Sequence, residues 1–209
     1  MKLFYSPTSP FVRKVMVVAH ELGIADKIEL QRVLVSPHLP NPELAAFNPL
    51  MKLPTLLADN GEVLFGSQLI CEFLDHAHGA RLFPQSPSIR WRVGRLHALA
   101  DGMLEAGIAC REDLHRYGRM EADTWTDGRK MKIFQGLDYL ESVTDELASQ
   151  VNIATIAVAV AISWLRFREF INDLVPTTPK LAIWHQEFVS RSSMLQTKPA
   201  EDSLGWKSR

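Results

Sequence analysis

Two serines of this chain stand where a helix is predicted to begin, a position that suits the binding of a negatively charged group. Ser9 is followed by Pro10, and a hydroxyl residue before a proline is typical of the first turn of a helix. Ser67 precedes a run whose apolar residues recur at helical spacing. The backbone N–H groups and the dipole at a helix N-terminus attract anions. A serine there can equally be an ordinary N-cap, so the spacing leaves both roles open.

The cysteines and neighbouring histidines do not follow the spacing of a metal site. Cys71 and Cys110 are far apart and form no CxxC motif, which favours a reducing compartment. His76 and His78 stand two residues apart at a predicted helix end, and that spacing does not place them on one helix face. We therefore expect solvated histidines, small buried cysteines and no metal.

The composition indicates an ordinary globular chain with room for two domains. Its 209 residues exceed a typical domain of ~100 to 150 residues. The 23 Lys and Arg residues nearly balance the 24 Asp and Glu residues, so no basic field attracts nucleic acid or an anionic membrane. The N-terminus lacks the apolar core of a signal peptide, and the apolar run at 151–165 is short for a membrane span of ~20 residues. We expect a cytoplasmic protein that binds neither nucleic acid nor membrane.

The first 78 residues alternate between predicted strands and helices. The strands are predicted at residues 2–5, 28–35, 53–58 and 62–65, and helices begin near residues 10, 42 and 67. Asn60 and Gly61 are typical of a hairpin turn in which both residues have positive φ. The order is β-α-β-α-β-β-α, and its first three elements have the length of a parallel crossover unit.

Strand patterns end after this region. Residues 79–88 contain one glycine and two prolines and are interpreted as a linker. Helical stretches follow at residues 89–117, 126–149, 153–170 and 179–194. The sequence therefore predicts an α/β domain at residues 1–78 and an all-α domain at residues 89–209.

This order, with a proline at the start of the third strand, resembles the cytosolic glutathione S-transferase family over essentially the whole chain. Residues 5–11 (YSPTSPF) and residues 48–54 (NPLMKLP) match family motifs well, and residues 66–67 (GS) match in part. Residues 152–155 (NIAT) are similar to the cap box that opens a helix in the family's second domain. The resemblance implies a thioredoxin-like first domain, an all-helical second domain, and the serine active-site turn of bacterial, theta-like members.

By this resemblance, Ser9 is the catalytic residue, and its hydroxyl donates to the sulfur of glutathione. The helix dipole there favours a thiolate, and such an environment lowers the pKa of a free thiol from ~8.5. Thr8 and Tyr5 are alternatives for this contact, although Tyr5 lies early in register and is interpreted as a wall residue. Other branches of the family have cysteine in place of Ser9. Serine cannot form a mixed disulfide, so thiol-transfer chemistry is disfavoured.

The resemblance also implies six contacts to glutathione, namely Phe11, Lys52, Leu53, Pro54, Gly66 and Ser67. The backbone of Leu53, beside a cis Pro54, would pair with the peptide-like ligand as an added strand does. Lys52 would meet the glycine carboxylate, and Ser67 would meet the γ-glutamyl carboxylate at a helix N-terminus.

Two positions depart from the family pattern. Gly66 stands where Glu, Asp or Gln usually precedes the serine, so a contact to the γ-glutamyl group is lost or moved, which favours a lower affinity. Thr155 replaces the Asp of the cap box, and its hydroxyl can accept the same kind of bond with less charge assistance.

The leading hypothesis is a transferase active in detoxification, which conjugates the glutathione thiolate to a small electrophilic, largely apolar substrate. Glutathione is the co-substrate, and the resemblance implies a homodimer in which the first domain of one subunit packs on the α-domain of the other. His97, Asp101, Glu105 and Arg111 lie on a helix that would border the site of the apolar substrate. Two alternatives stay open: a non-catalytic interaction module of the same fold, and a glutathione-dependent lyase or dehalogenase.

Overall fold

The computed structural model of the chain describes residues 1–36, 40–118, 124–148, 150–171 and 177–201. They form two compact units. The first comprises Met1–Phe83 with the segment that starts at Ser192, and the second comprises Pro84–Arg191. The described residues of the first unit form a sheet with helices, and those of the second form helices, so the predicted fold class is confirmed.

The first unit follows the predicted order of elements through residue 77. It contains β1 (Lys2–Tyr5), α1 (Pro10–Glu21), a 3₁₀ helix (Ala25–Lys27), β2 (Glu29–Arg32), α2 (Pro42–Ala45), β3 (Thr55–Leu57), β4 (Val63–Phe65) and α3 (Ser67–Ala77). β1 coincides with its predicted bounds. The other three strands are shorter than predicted, and the 3₁₀ helix has no counterpart among the predicted elements.

The four strands form one sheet in the order β2-β1-β3-β4. β1 pairs parallel with β2, with Leu3 opposite Leu30, and antiparallel with β3. β3 pairs antiparallel with β4. The parallel pair is connected through α1, which is the crossover unit that the spacing predicts.

The first helix owes its position to an apolar stripe. Val12, Val15, Val18 and Ala19 are buried and recur at helical spacing, and α1 packs against α3. Burial of one such valine side chain contributes about 1.5–3 kcal/mol. The stripe therefore determines which face of α1 is buried in the first unit.

The connection between β3 and β4 differs from the predicted turn. The Ala58 N–H donates to the Glu62 carbonyl at 2.8 Å, so backbone hydrogen bonding between the two chain segments extends to these residues. The loop between them consists of residues 59–61. Gly61 has a φ of +84°, whereas Asn60 does not have a positive φ. The predicted turn with positive φ at both residues is wrong. The Asn60 side chain instead accepts the Glu62 N–H at 3.0 Å and closes the longer loop.

A buried carboxylate fixes the chain after α3. Asp75 is 1% exposed and accepts backbone N–H groups from Arg81, Leu82 and Phe83 at 2.8–2.9 Å. Three charge-assisted bonds compensate for burying the carboxylate. Asp75 therefore anchors the start of the segment that the sequence analysis interprets as a linker.

The second unit contains five helices in its described residues. They are α4 (Pro87–Tyr117), α5 (Thr124–Ser142), α6 (Thr144–Leu147), α7 (Ile153–Phe167) and α8 (Pro179–Phe188). The predicted helix at 126–149 is divided into α5 and α6. At the division, the Thr144 hydroxyl lies 2.9 Å from the carbonyl oxygens of Leu140 and Glu141, an alternative to regular helical bonding.

α7 is the central helix of this unit and is buried on nearly every side between Ile153 and Leu165, as the sequence predicts. α4 approaches it at Gly107, where an added Cβ would lie 2.8 Å from the Trp164 ring. Among the described helices, none combines the length and apolarity needed to cross a membrane.

A short last helix, α9 (Ser192–Gln196), packs on α1 in the first unit. The Arg13 guanidinium donates from Nη2 to the Met194 carbonyl at 3.2 Å, and the Ser193 hydroxyl donates to Glu21. Burial lowers the pKa of Arg13 to about 10. The residues of α9 thus group with the first unit and not with the second, where the sequence analysis placed them.

Candidate functional site

The pairing register brings three strand ends to one end of the sheet in the first unit. Phe4 of β1 lies opposite Thr55 of β3, and Thr55 lies opposite Phe65 of β4. Because β3 runs antiparallel to both neighbours, the carboxyl ends of β1 and β4 meet the amino end of β3. The turn into α1, residues 52–54 and the start of α3 follow directly from these ends. The three motifs singled out in the sequence are therefore neighbours.

Ser9 is the N-cap of α1, as predicted. Its backbone is extended, and its Oγ accepts the Val12 N–H at 3.3 Å. The side chain is half-buried, and its hydroxyl proton has no acceptor among the described residues. The oxygen thus caps the helix while the proton stays available to an external acceptor.

The other candidates of this turn hold different positions. Tyr5 is the last residue of β1 and is half-buried. The Thr8 hydroxyl lies 3.1 Å from the Ser6 hydroxyl, a contact within the turn. Phe11 lies in the first turn of α1 and is half-buried. Among these side chains, Ser9 alone caps the helix N-terminus.

The segment before β3 contains one exposed residue, Lys52, followed by the half-buried Leu53 and the buried Pro54. Lys52 is exposed, and its ammonium has no described ion-pair partner. Leu53 is half-buried, and the Leu53–Pro54 peptide bond is cis. Behind the segment, Asn48 and Thr55 are buried and form hydrogen bonds with each other and with the Lys52 carbonyl.

The start of α3 differs from the expectation that Ser67 caps it. Gly66 occupies the N-cap position with a φ of +90°, and Ser67 is the first helical residue. The helix has no side-chain cap bond, and the buried Ser67 hydroxyl has no partner among the described residues. A Cβ built at Gly66 would meet no atom within 4 Å, so glycine is required there by φ and not by space.

These groups form an arrangement suited to an extended anionic ligand. Two helix N-termini contribute partial positive charge, Lys52 contributes a full charge, and two serine hydroxyls are able to donate. Neither hydroxyl has a strong base among its described hydrogen-bond partners. The arrangement can therefore stabilise a negative charge brought by a ligand but cannot generate a strong serine nucleophile.

The cysteines and histidines behave as structural groups. Cys71 and Cys110 are buried and are not joined in a disulfide, and burial raises the pKa of the Cys110 thiol, which opposes reactivity as a thiolate. His78 Nδ1 lies 2.9 Å from the Leu74 carbonyl. In the part of the chain that the structure describes, no group of His, Cys, Asp and Glu side chains could hold a metal ion.

The residues assigned to α4 differ among themselves. His97 Nε2 lies 3.4 Å from Asp101 Oδ2, and His97 is 2% exposed, within the core of the second unit. Glu105 is exposed and Arg111 is half-buried. The structure therefore brings the buried His97 and the half-buried Asp101 together on successive turns of one helix.

Known proteins resemble this chain along nearly its full length. Residues 8–77 match the sequence model of the glutathione S-transferase N-terminal domain. The uncharacterized GST-like protein YibF of Escherichia coli (strain K12) is 34% identical over 203 residues, which cover 95% of this chain and 98% of that protein. A glutathione transferase family member from Pseudomonas fluorescens Pf-5, solved with bound glutathione, is 41% identical, with a TM-score of 0.89 and coverage of 96% and 99%. A glutathione S-transferase from Methylobacillus flagellatus KT with GSH bound is 32% identical, with a TM-score of 0.82 and coverage of 95% and 99%.

The chain belongs to the glutathione S-transferase family. The prediction of a glutathione S-transferase is thereby confirmed, together with its thioredoxin-like and helical architecture. Sequence reasoning missed the buried pair of Asn48 and Thr55 behind the candidate site. The available signals were an asparagine directly before Pro49 and a polar residue that opens the apolar run of β3.

Proposed function

We propose that this enzyme binds glutathione at the end of the sheet in the first unit and transfers it to a small, electrophilic, largely apolar substrate. One observation carries the proposal: the register of Phe4, Thr55 and Phe65 gathers two helix N-termini and the Leu53 backbone at one sheet end. The relative from Pseudomonas fluorescens Pf-5, solved with glutathione and also with S-(propanoic acid)-glutathione, supports it.

Ser9 is proposed to stabilise the glutathione sulfur as a thiolate. Its oxygen already accepts the Val12 N–H, and its proton remains available to another acceptor. A hydroxyl donor at a helix N-terminus favours the charged form of the sulfur, and the thiol proton leaves to solvent. The thiolate electron pair then forms a C–S bond to the electrophile, and the leaving group departs with the electrons of the bond that breaks.

The remaining predicted contacts are proposed to anchor the tripeptide. The exposed Lys52 ammonium meets the glycine carboxylate, and the Ser67 hydroxyl and N–H meet the γ-glutamyl carboxylate at the uncapped start of α3. The Leu53 backbone pairs with the cysteinyl residue, while Phe11, Pro54 and Gly66 surround the ligand. Since Gly66 offers no side chain, the γ-glutamyl amine has fewer partners here.

Retention on immobilised glutathione and conjugation of a chlorodinitrobenzene test this function. We expect the protein to bind the matrix, to be eluted by free glutathione, and to release chloride as the C–S bond forms. A properly folded protein that flows through and conjugates nothing would contradict the proposal and favour the non-catalytic interaction module. Retention without conjugation would favour a lyase or dehalogenase acting on a specific metabolite.

We also propose that the enzyme is a cytoplasmic homodimer. Large side chains are exposed on each unit, with Leu69 at 51% in the first and Trp91 and Trp125 each at 74% in the second. Aromatic side chains such as the two tryptophans are enriched at protein interfaces. Light scattering at micromolar concentration should give the mass of two chains, and the mass of one chain would contradict the dimer.

A further inference from the structure

The carbonyl oxygen of Lys52 is held by two buried side chains. Asn48 donates to it from Nδ2 at 3.0 Å, and Thr55 donates from Oγ1 at 2.9 Å. Asn48 Nδ2 also donates to Thr55 Oγ1 at 3.0 Å, and Asn48 Oδ1 accepts the Leu50 N–H at 3.0 Å. Asn48 is 1% exposed and Thr55 is 0% exposed. Because all their side-chain polar atoms are engaged, neither side chain can turn away without leaving a buried group unsatisfied.

This arrangement sets the direction of the next N–H group. The Lys52–Leu53 peptide bond is not among the cis bonds of the chain, and in a planar trans peptide the C=O and N–H point in opposite directions. With the Lys52 carbonyl directed at Asn48 and Thr55, the Leu53 N–H points away from that buried pair. Within the described part of the chain, this N–H donates to no acceptor.

We propose that Asn48 and Thr55 are positioning residues that hold the Leu53 N–H ready for the cysteinyl carbonyl of glutathione. The inference rests on the proposed function, since it concerns how the same site recognises its ligand. The pair acts through the Lys52–Leu53 peptide group and not on the ligand itself. Fixing that peptide before the ligand arrives reduces the ordering cost of binding, so the pair contributes to affinity for the peptide backbone and not to the chemistry at sulfur.

The exchange Thr55→Val tests this role, because it removes the hydroxyl but keeps the β-branched shape. We expect the Kd and KM for glutathione to rise about fivefold to tenfold, the loss typical of one hydrogen bond. The kcat at saturating glutathione and its pH dependence should stay unchanged, because the Leu53 peptide does not contact the sulfur. The conservative variant Thr55→Ser keeps a hydroxyl and should restore most of the affinity.

A matched control is available in the second unit. Thr144 is also buried, and its hydroxyl also contacts backbone carbonyls, at 2.9 Å. The exchange Thr144→Val should lower stability to a similar degree while leaving the KM for glutathione at the wild-type value. An equal rise of KM in both variants would overturn the positioning role, because general destabilisation would then explain it.

The amide resonance of Leu53 gives a readout that needs no variant. Adding glutathione to the labelled wild-type protein should shift the Leu53 amide proton downfield, as expected when it gains an acceptor. A protein that binds glutathione with no change at this amide, or a Thr55→Val variant that binds as tightly as wild type, would overturn the inference alone. A wild-type protein that binds no glutathione would overturn the proposed function itself, so the two failures are distinguishable.

Discussion

Polar side chains have opposite roles at the helix starts of the two units. The contrast is between α7 in the second unit and α1 and α3 in the first. At α7, the Asn152 side chain accepts the N–H groups of Ala154 and Thr155 at 2.9 and 3.2 Å. The Thr155 hydroxyl accepts the Asn152 N–H at 2.9 Å and donates to the Asn152 carbonyl. The predicted cap box is confirmed, and its polar groups are satisfied within the helix start.

The starts of α1 and α3 leave polar groups uncommitted. Ser9 uses its oxygen as a cap, but its proton has no described acceptor. Gly66 has no side chain to cap α3, and the Ser67 hydroxyl also has no described partner. A helix start that satisfies its own N–H groups stabilises the fold, whereas one that leaves donors unused retains them for a ligand. The comparison therefore separates caps that hold the fold from helix starts that are available for binding.

The largest expected effect is the loss of activity in Ser9→Ala. Removing one donor to a developing or fixed negative charge costs about 2–4 kcal/mol, so kcat/KM should fall about 30-fold to 800-fold. The pKa seen in the pH profile of kcat/KM should rise toward the ~8.5 of a free thiol. Steady-state kinetics across pH with a chlorodinitrobenzene measure both quantities.

The same exchange removes an N-cap, so stability must be measured beside the rates. Loss of the cap should reduce the free energy of unfolding by about 1 kcal/mol. The control is the cap variant Asn152→Ala, which should lose similar stability and keep wild-type kcat/KM. Unchanged kcat/KM in Ser9→Ala would show that Ser9 acts only as a structural cap. The start of α1 would then belong with the helix starts that stabilise the fold and not with those that bind the ligand.

The second expected effect is weaker glutathione binding in Ser67→Ala. A hydrogen bond to a carboxylate contributes about 1.5–3 kcal/mol, so the Kd should rise about tenfold or more. Stability should stay within about 0.5 kcal/mol of wild type, because this hydroxyl makes no described bond in the fold. Calorimetric titration and denaturant unfolding give the two values. Lower stability with unchanged Kd would place Ser67 among the groups that hold the fold.

The third prediction adds a side chain where α3 has none. Gly66→Glu should offer a carboxylate to the γ-glutamyl amine and tighten the Kd for glutathione by about tenfold. Space is available at this position, but the φ of +90° strains any other residue, so stability should fall by about 1–3 kcal/mol.

Gly66→Ala is the matched control for this change, since alanine has the same strain without the carboxylate. Both variants should lose similar stability, and only the Glu variant should bind more tightly. If Gly66→Glu folds and gains no affinity, either another residue already holds the amine or the pocket serves a different ligand.

Features with a local cause were predictable from the sequence. β1, the crossover unit, the Ser9 cap and the buried α7 follow from short-range patterns of apolar residues, hydroxyls and prolines. Ser67 was predicted to be the N-cap of α3, but it is the first helical residue and Gly66 is the N-cap. A sequence pattern locates helix ends only to within one or two residues.

Features set by the path of the chain were not predictable. The register of β3 and β4 determines the length of the loop between them. That length is incompatible with the two-residue turn that Asn60 and Gly61 favour. Asn48 meets Thr55 only because the intervening loop folds back on itself. Nothing local in α9 indicates that Met194 would pack in the first unit. These contacts depend on tertiary structure, which a linear pattern does not contain.

The smallest expected effect on function is that of changing the cap of α7. It tests the prediction that a helix start with satisfied N–H groups stabilises the fold and takes no part in ligand binding. Asn152→Ala removes the acceptor of two N–H groups, so the free energy of unfolding should fall by about 1 kcal/mol. The Kd for glutathione should not change, because those N–H groups are already satisfied by the helix itself and none is retained for a ligand. Denaturant unfolding and calorimetric titration on the same preparation check both parts. The contrary result would be an Asn152→Ala variant that is fully folded but binds glutathione much more weakly than wild type. In that case, whether the N–H groups at a helix start are satisfied would not distinguish helix starts that stabilise the fold from those that bind the ligand.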